Sequence, residues 1–236
     1  MGCRIGLVHT PRNLQSLVDE HVARWQMARV ARGRPDRPAP CVALSRLPGA
    51  GGAELGQMVA ERLGYGFFGI EIVDRIAREQ NVPRELVAGV DEHVRSVIDR
   101  YVIDAMRRFT EDDYLRQVVR TVTTIAEQGG AVFLGRGSVF ILRPERTLRV
   151  LVVAPREERL ERAAKSHDLD LEHARAFLTQ EEETRRSFYR HHFRVDPDDP
   201  SAYDVIVNTG TLGMEPAVHL VVEALDAKLA AAVTSE

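Results

Sequence analysis

The stretch Cys41-Val42-Ala43-Leu44-Ser45-Arg46-Leu47-Pro48-Gly49-Ala50-Gly51-Gly52-Ala53-Glu54-Leu55 decides the fold. Cys41–Leu44 is a continuous apolar run without alternation, which suits a strand buried on both faces of a parallel sheet. A glycine-rich turn, Pro48–Gly52, follows directly. From Ala53 to Leu63 the apolar residues Leu55, Val59 and Leu63 fall four apart, as on one face of a helix. Strand, glycine turn and helix in that order suit a phosphate cradle. Glycines let several backbone N–H groups converge on an anion, and the helix adds the positive end of its dipole. Glycine clusters also make ordinary tight turns, but the buried strand before and the helix after favour the cradle.

Outward from this stretch, apolar runs return at Ala131–Leu134, Leu148–Val153 and Val205–Val207. Helical patterns separate them, over about Ile70–Glu79, Arg84–Phe109, Glu111–Gln128, Arg156–Ser166, Leu171–Arg186 and Glu215–Leu229. Strands alternating with helices imply right-handed crossovers and a parallel sheet covered on both faces. Residues 1–40 read as an appendage. Asn13 can cap a helix running to about Arg32, with Leu14, Leu17, Val18, Val22 and Trp25 at helical spacing, before the prolines at 35, 38 and 40 end it. That helix either packs on its own domain or forms a homodimer contact. The domain proper spans 41–229, and 230–236 is a tail.

Composition bounds the partners. The chain has 236 residues, 44% hydrophobic and 28% charged, and a net charge of −3. These values suit a globular protein and argue against a nucleic-acid partner. No apolar run reaches a membrane span, and Met1–Arg12 lacks a signal-peptide core. Two cysteines cannot build a disulfide framework, so the expected compartment is the cytoplasm. Of the 32 basic residues only Lys165 and Lys228 are lysine. Any phosphate chemistry must therefore rest on arginine, a planar fork rather than a point charge.

The cradle departs from G-x-x-x-x-G-K-[ST]. Arg46 stands at the first glycine, Gly51 at the second, Gly52 at the lysine and Ala53 at the hydroxyl. The charge and the Mg²⁺ ligand those last two positions normally supply are both missing. The nearest cation is Arg46, at the strand end. With Ser45–Leu55 as a whole, the chain resembles the S-R-x-x-G-S-G-G-R-E-I opening of the cytidylate kinase-like family. These are P-loop relatives of bacterial CMP kinase that also lack the usual lysine. Further segments keep the family's order. Tyr65–Val73 resembles P-x-Y-D-x-E-[LI]-[IL], with Gly69 in place of Asp, and Val132–Ser138 resembles the G-R-G or G-R-C segment. Leu148–Arg159 resembles the strand and helix that follow, and Tyr203–Thr209 resembles Y-D-[LV]-x-[LV]-N-T.

The resemblance implies an α/β P-loop NTPase-like three-layer fold. It would have a central parallel sheet of about five strands, a helical acceptor region near Pro83–Gln128 and a lid near Thr179–Pro200. It implies ATP and Mg²⁺ as cofactors and a nucleoside monophosphate, CMP or dCMP, as acceptor. Ser45, Gly49, Ala50, Gly51, Gly52 and Ala53 would then hold the donor phosphates. Arg46 would stand in part for the lysine, and Arg136 would hold the acceptor phosphate, although a carboxylate partner is the plainer role for it. Arg185, Arg186 and Arg190 are the lid arginines, unless Glu181–Glu183 simply pair with Arg185 and Arg186 along a solvated helix. His191-His192 offers no metal site by spacing, since adjacent residues on a helix point apart. The alternatives to phosphotransfer are a nucleotide-binding pseudokinase, which the missing lysine and hydroxyl support, and a P-loop kinase with a non-nucleotide acceptor.

Overall fold

The structure, a computed structural model, describes residues 38–78, 92–110 and 112–234, with Ser16, Glu20, Ala23, Arg24 and Met27 of the N-terminal segment. Five parallel strands form one sheet: β1 (Cys41–Arg46), β2 (Gly66–Phe68), β3 (Ala131–Leu134), β4 (Thr147–Val153) and β5 (Val205–Asn208), in the order β2-β3-β1-β4-β5. β1 is central, pairing with β3 through Val42–Leu44 and with β4 along its whole length. Four strands coincide with the apolar runs of the sequence. The exception, β2, is a three-residue edge strand that starts on a glycine and owes its place to pairing with Ala131–Phe133.

The helices are α1 (Gly52–Leu63), α2 (Ile70–Arg78), α3 (Glu92–Arg108), α4 (Asp113–Gln128), α5 (Ser138–Ile141), α6 (Arg156–His167), α7 (Leu171–Phe193), α8 (Thr209–Leu212) and α9 (Met214–Thr234). The strand pleat splits the core into two layers, because alternate residues face opposite sides. Val42, Leu44, Val132, Leu134, Val150 and Val152 pack with Leu55 and Val59 of α1 and with Val218, Val221 and Leu225 of α9. On the other face Ala43, Phe68, Phe133 and Leu151 pack with α2, α3, α4 and α5. The result is three layers. Because every strand is parallel, all the strand ends that precede helices open on one side, where ligands of such sheets bind.

α7 carries the main difference from expectation. The helical pattern in the sequence stops near Arg186, and a lid was expected over Thr179–Pro200. In the structure α7 continues unbroken to Phe193. Its buried stripe is Ala174, Leu178, Arg185, Tyr189 and Phe193, and the last two join the core of α2–α5. The aromatic rings explain the extension: Phe193 meets Phe109 at 4.8 Å and Phe140 at 6.0 Å between centroids. Burying such rings stabilises by about 1.5–3 kcal/mol each. The expected lid is therefore, in this conformation, the packed second half of α7 and the turn that follows.

The N-terminal helix falls mostly outside the described residues, Trp25 included. Among the described positions, Arg24 donates to the carbonyl of Tyr65 at 2.5 Å, at the corner between α1 and β2. No described helix is long and apolar enough to cross a membrane.

Gly137 shows how tightly α7 is seated. Its φ is +74°, and a Cβ there would lie 2.0 Å from Cζ of Phe193. Gly137→Ala combines left-handed strain with displacement of that ring and is expected to cost about 2 kcal/mol or more. Urea denaturation measures the loss; an unchanged midpoint would mean that the α7 end is not packed here.

Candidate functional site

The glycine turn begins where β1 ends. Leu47 N–H still bonds to Val152 O at 2.9 Å, then Ala50 N–H turns back to Leu47 O at 3.0 Å. Gly49 and Gly51 take φ of +77° and +75°, a region L side chains rarely adopt. Gly49 has a second constraint, since a Cβ would stand 2.6 Å from the backbone oxygen of Arg159. The first helical bond runs from Leu55 N–H to Gly51 O. The amides of Gly52, Ala53 and Glu54 lie ahead of it, with no acceptor inside the helix. They are the donors a bound anion would meet.

Two side chains brace the turn from beneath. Arg159 is buried and donates from Nε to Ala154 O (3.1 Å), and from Nη1 to Pro48 O (3.2 Å) and to Oε1 of Glu182 (2.6 Å). Thr209, the first residue of α8, donates to Ala50 O at 2.8 Å. β4, α6, α7 and α8 thus all reach the loop. Glu182 is held below the usual carboxylate range because Arg159 and Arg156 outweigh the cost of its burial.

Above the turn stand three arginines. Arg46 leaves β1 and packs its stem over α1, so that a Cβ on Gly52 would lie 2.8 Å from Arg46 Cβ. Its Nη1 would stand 3.1 Å from a Cβ on Gly135, beside Arg136. Burial pushes its pKa down, and the nearby charges of Arg185 and Arg136 push the same way. Among the described residues it has no hydrogen-bond or ion-pair partner. A half-buried guanidinium in that setting is short of negative charge, whereas buried charges are normally paired.

The other two have partners. Arg136, at φ +48°, grips Asp74 with both arms, Nε to Oδ1 at 2.5 Å and Nη2 to Oδ2 at 2.6 Å. Tyr114 donates to the same Oδ1 at 2.6 Å. Burial works against the Arg136 charge, but Asp74 outweighs it and the pKa is raised. The guanidinium also lies 5.2 Å over the ring of Phe188. Arg185 is buried and donates to Asp198 (2.6 Å), to Pro197 O (3.0 Å) and to Oγ of Ser45 (3.1 Å), while its Nε is buried without a partner. Arg186 donates to the other oxygen of Asp198 at 2.9 Å. The pairing within α7 between Glu181–Glu183 and these arginines is replaced by Asp198. Glu182, half-buried four residues after Leu178, instead accepts from Arg159. Arg190 is exposed on the solvent side of α7.

Ser45 is fully buried, so its hydroxyl serves Arg185. Ala53 is exposed and offers no oxygen beyond the backbone. Asp74 and Asp198 are both engaged by arginine. Among the described residues around the loop, the donor set does not fit an Mg²⁺ ion held by protein carboxylates or hydroxyls.

Residues 41–211, more than half of the chain, match the model of the cytidylate kinase-like family. The chain belongs to that family. This cytidylate kinase-like protein is 26% identical over 195 residues to a cytidylate kinase of Methanopyrus kandleri, covering 78% of this chain and 92% of that one. It is 24% identical over 190 residues to a cytidylate kinase of Methanocaldococcus jannaschii, covering 78% and 97% respectively. A crystal structure of an uncharacterized protein from Eubacterium ventriosum shares the fold, with a TM-score of 0.61 at 15% identity over 79% of this chain and 98% of that one. The family places the chain within the P-loop nucleoside monophosphate kinase superfamily.

The sequence marks the acids that set where the arginines point only in part: Asp74 is in no segment quoted above, Asp198 lies in the expected lid without a role of its own, and Glu182 is expected only as a partner of Arg185 or Arg186. Glu182 did leave a signal: it lies four residues after Leu178 on an otherwise buried stripe, and a charge there requires a buried partner.

Asp198 gives an acid-stability prediction. Burial would raise its pKa, but Arg185 and Arg186 hold it below its ordinary 3.8. Its contribution is therefore present above the unfolded value and is lost as pH falls through the folded one. Asp198→Asn is expected to lower the melting temperature at pH 7 but to flatten its fall from about pH 5 downward. A variant whose melting curve tracks the wild type at every pH would remove Asp198 from the clamp.

Proposed function

We propose that this chain transfers the γ-phosphoryl group of ATP to a nucleoside monophosphate, with CMP or dCMP as the acceptor. The observation that carries this reading is Arg46, a half-buried guanidinium with no carboxylate partner among the described residues, set between the glycine turn and Arg136. Phosphoryl transfer needs little covalent help from a protein. It needs the two substrates in line and positive groups where charge spreads over the transferred oxygens. In this reading the turn Gly49–Gly52 wraps the donor phosphates, the open amides of Gly52, Ala53 and Glu54 donate to them, and Arg46 supplies charge in place of the absent lysine.

Arg136 takes the acceptor phosphate. Its bidentate hold on Asp74 demonstrates the fork geometry that two phosphate oxygens would use. A phosphate dianion carries more charge than one carboxylate and can compete for the fork. Arg185 and Arg186 supply the remaining charge from α7, with their geometry set by Asp198 and Ser45. Thr209 and Arg159 position the loop without touching substrate.

The test is a product-identified assay of Mg-ATP with a panel of nucleoside monophosphates. Transfer to CMP or dCMP is expected, and Arg46→Ala is expected to lower kcat by a hundredfold or more, about the loss of one preorganised oxyanion donor. Arg136→Ala is expected to raise KM for the monophosphate more than KM for ATP. Equal turnover in wild type and Arg46→Ala would refute the role of Arg46.

A second reading has a specific observation behind it. Arg136, Arg185 and Arg186 are already neutralised by Asp74 and Asp198, and no lysine or hydroxyl stands in the loop. A pseudokinase would bind ATP saturably and release no ADP with any acceptor, which the same assay combined with calorimetry distinguishes.

A further inference from the structure

Away from the glycine turn, at the far end of α7, the side chains of Asp112, His191 and His192 converge. One ligand-type atom from each lies within 4.8 Å of the others. Adjacent histidines are expected to diverge, yet His191 and His192, both in the last turn of α7, bring their rings together. The two rings sit with centroids 4.7 Å apart. We infer that these three side chains form a binding site for a divalent transition-metal ion of the Zn²⁺ class, with two imidazoles and one carboxylate as ligands.

Several independent features support the site. Asp112 is the N-cap of α4, and its Oδ1 accepts from Tyr114 N–H at 2.8 Å. That leaves Oδ2 facing Nδ1 of His192 at 3.5 Å. This Nδ1 is buried and has no hydrogen-bond partner among the described residues, a condition polar atoms rarely tolerate without reason. His192 is held in place by Phe188, at 4.7 Å between ring centroids. The backbone under the ligands is fixed as well: Thr110 donates from Oγ1 to His191 O (2.5 Å) and from N–H to His192 O (3.1 Å). The carbonyl end of α7 also favours a cation.

Zinc ligands stand about 2.0–2.2 Å from the metal, so tetrahedral neighbours lie about 3.3–3.6 Å apart. The present spread needs a closure of at most about 1.5 Å by this geometry, within side-chain rotation of the exposed His191. An open surface groove lined by Glu183, Thr184, Ser187 and both histidines adjoins the cluster and leaves room for a water as fourth ligand. An ion here would tie the end of α7 to the start of α4. The inference does not depend on the phosphotransfer reading.

The test uses the full-length chain without a tag, stripped of metal and titrated with Zn²⁺ by calorimetry and with Co²⁺ by visible absorption. One saturable site and the d–d bands of four-coordinate Co²⁺ are expected. His191→Ala changes only an exposed ring, and Asp112→Asn keeps a competent N-cap. Each is expected to weaken binding at least tenfold while leaving the metal-free melting temperature near that of the wild type. His173→Ala, at the exposed His173–Asp170 pair, is expected to bind like the wild type. Zn²⁺ should raise the melting temperature of the wild type and not of the two site variants. No saturable binding by the wild type, or equal binding by His191→Ala and Asp112→Asn, would overturn the site and leave His192–Asp112 as an ion pair only.

Discussion

One buried guanidinium holds the site together. Arg159 donates to the end of β4, to the glycine turn at Pro48 and to Glu182 on α7. A charge at 6% exposure would be costly alone, and these three acceptors, one of them a carboxylate, offset that cost. Removing one partner of such a pair typically costs about 3–5 kcal/mol. The close approach of Gly49 to the Arg159 backbone follows from the same contact, so the shape of the loop and the position of α7 are set together. A shift of α7 would therefore be felt at the loop.

The second organising feature is the uneven supply of acids. With almost no lysine, the chain gathers arginines at the strand ends and meets them with two carboxylates. Asp74 holds Arg136 and Asp198 holds Arg185 and Arg186, while Arg46 is left without an acid among the described residues. Burial presses hardest on its charge, Arg185 and Arg136 add to that, and Tyr189 and Glu181 act the other way. An anion between the turn and Arg136 would give Arg46 the negative partner it lacks among the described residues. The paired arginines, meanwhile, are already oriented, so less rotamer freedom would remain to be lost if they bound a phosphate.

Much of this was legible in the sequence. The apolar run, glycine turn and helix at Cys41–Leu63 announced the loop, and four of the five strands were continuous apolar stretches. The segments at Val132–Ser138 and Tyr203–Thr209 pointed to the strand ends that surround it. The edge strand β2 was hidden because three residues with a glycine carry no periodicity. The far end of α7 was hidden because charge density outweighs its apolar stripe, although Tyr189 and Phe193 continue the spacing of Leu178 and Arg185. The acids were hidden for a different reason. Asp74 and Asp198 act over 62 and 13 residues of separation, and long-range pairing leaves no local pattern.

The most direct measurement is a crystal structure with CMP and a non-hydrolysable ATP analogue bound together. The expected map places donor phosphate oxygens within hydrogen-bond distance of the Gly51 and Gly52 amides and of Arg46, with the CMP phosphate on Arg136. A map in which Arg46 touches no phosphate, or in which CMP binds away from Arg136, would contradict the placement of donor and acceptor on either side of this unpaired arginine.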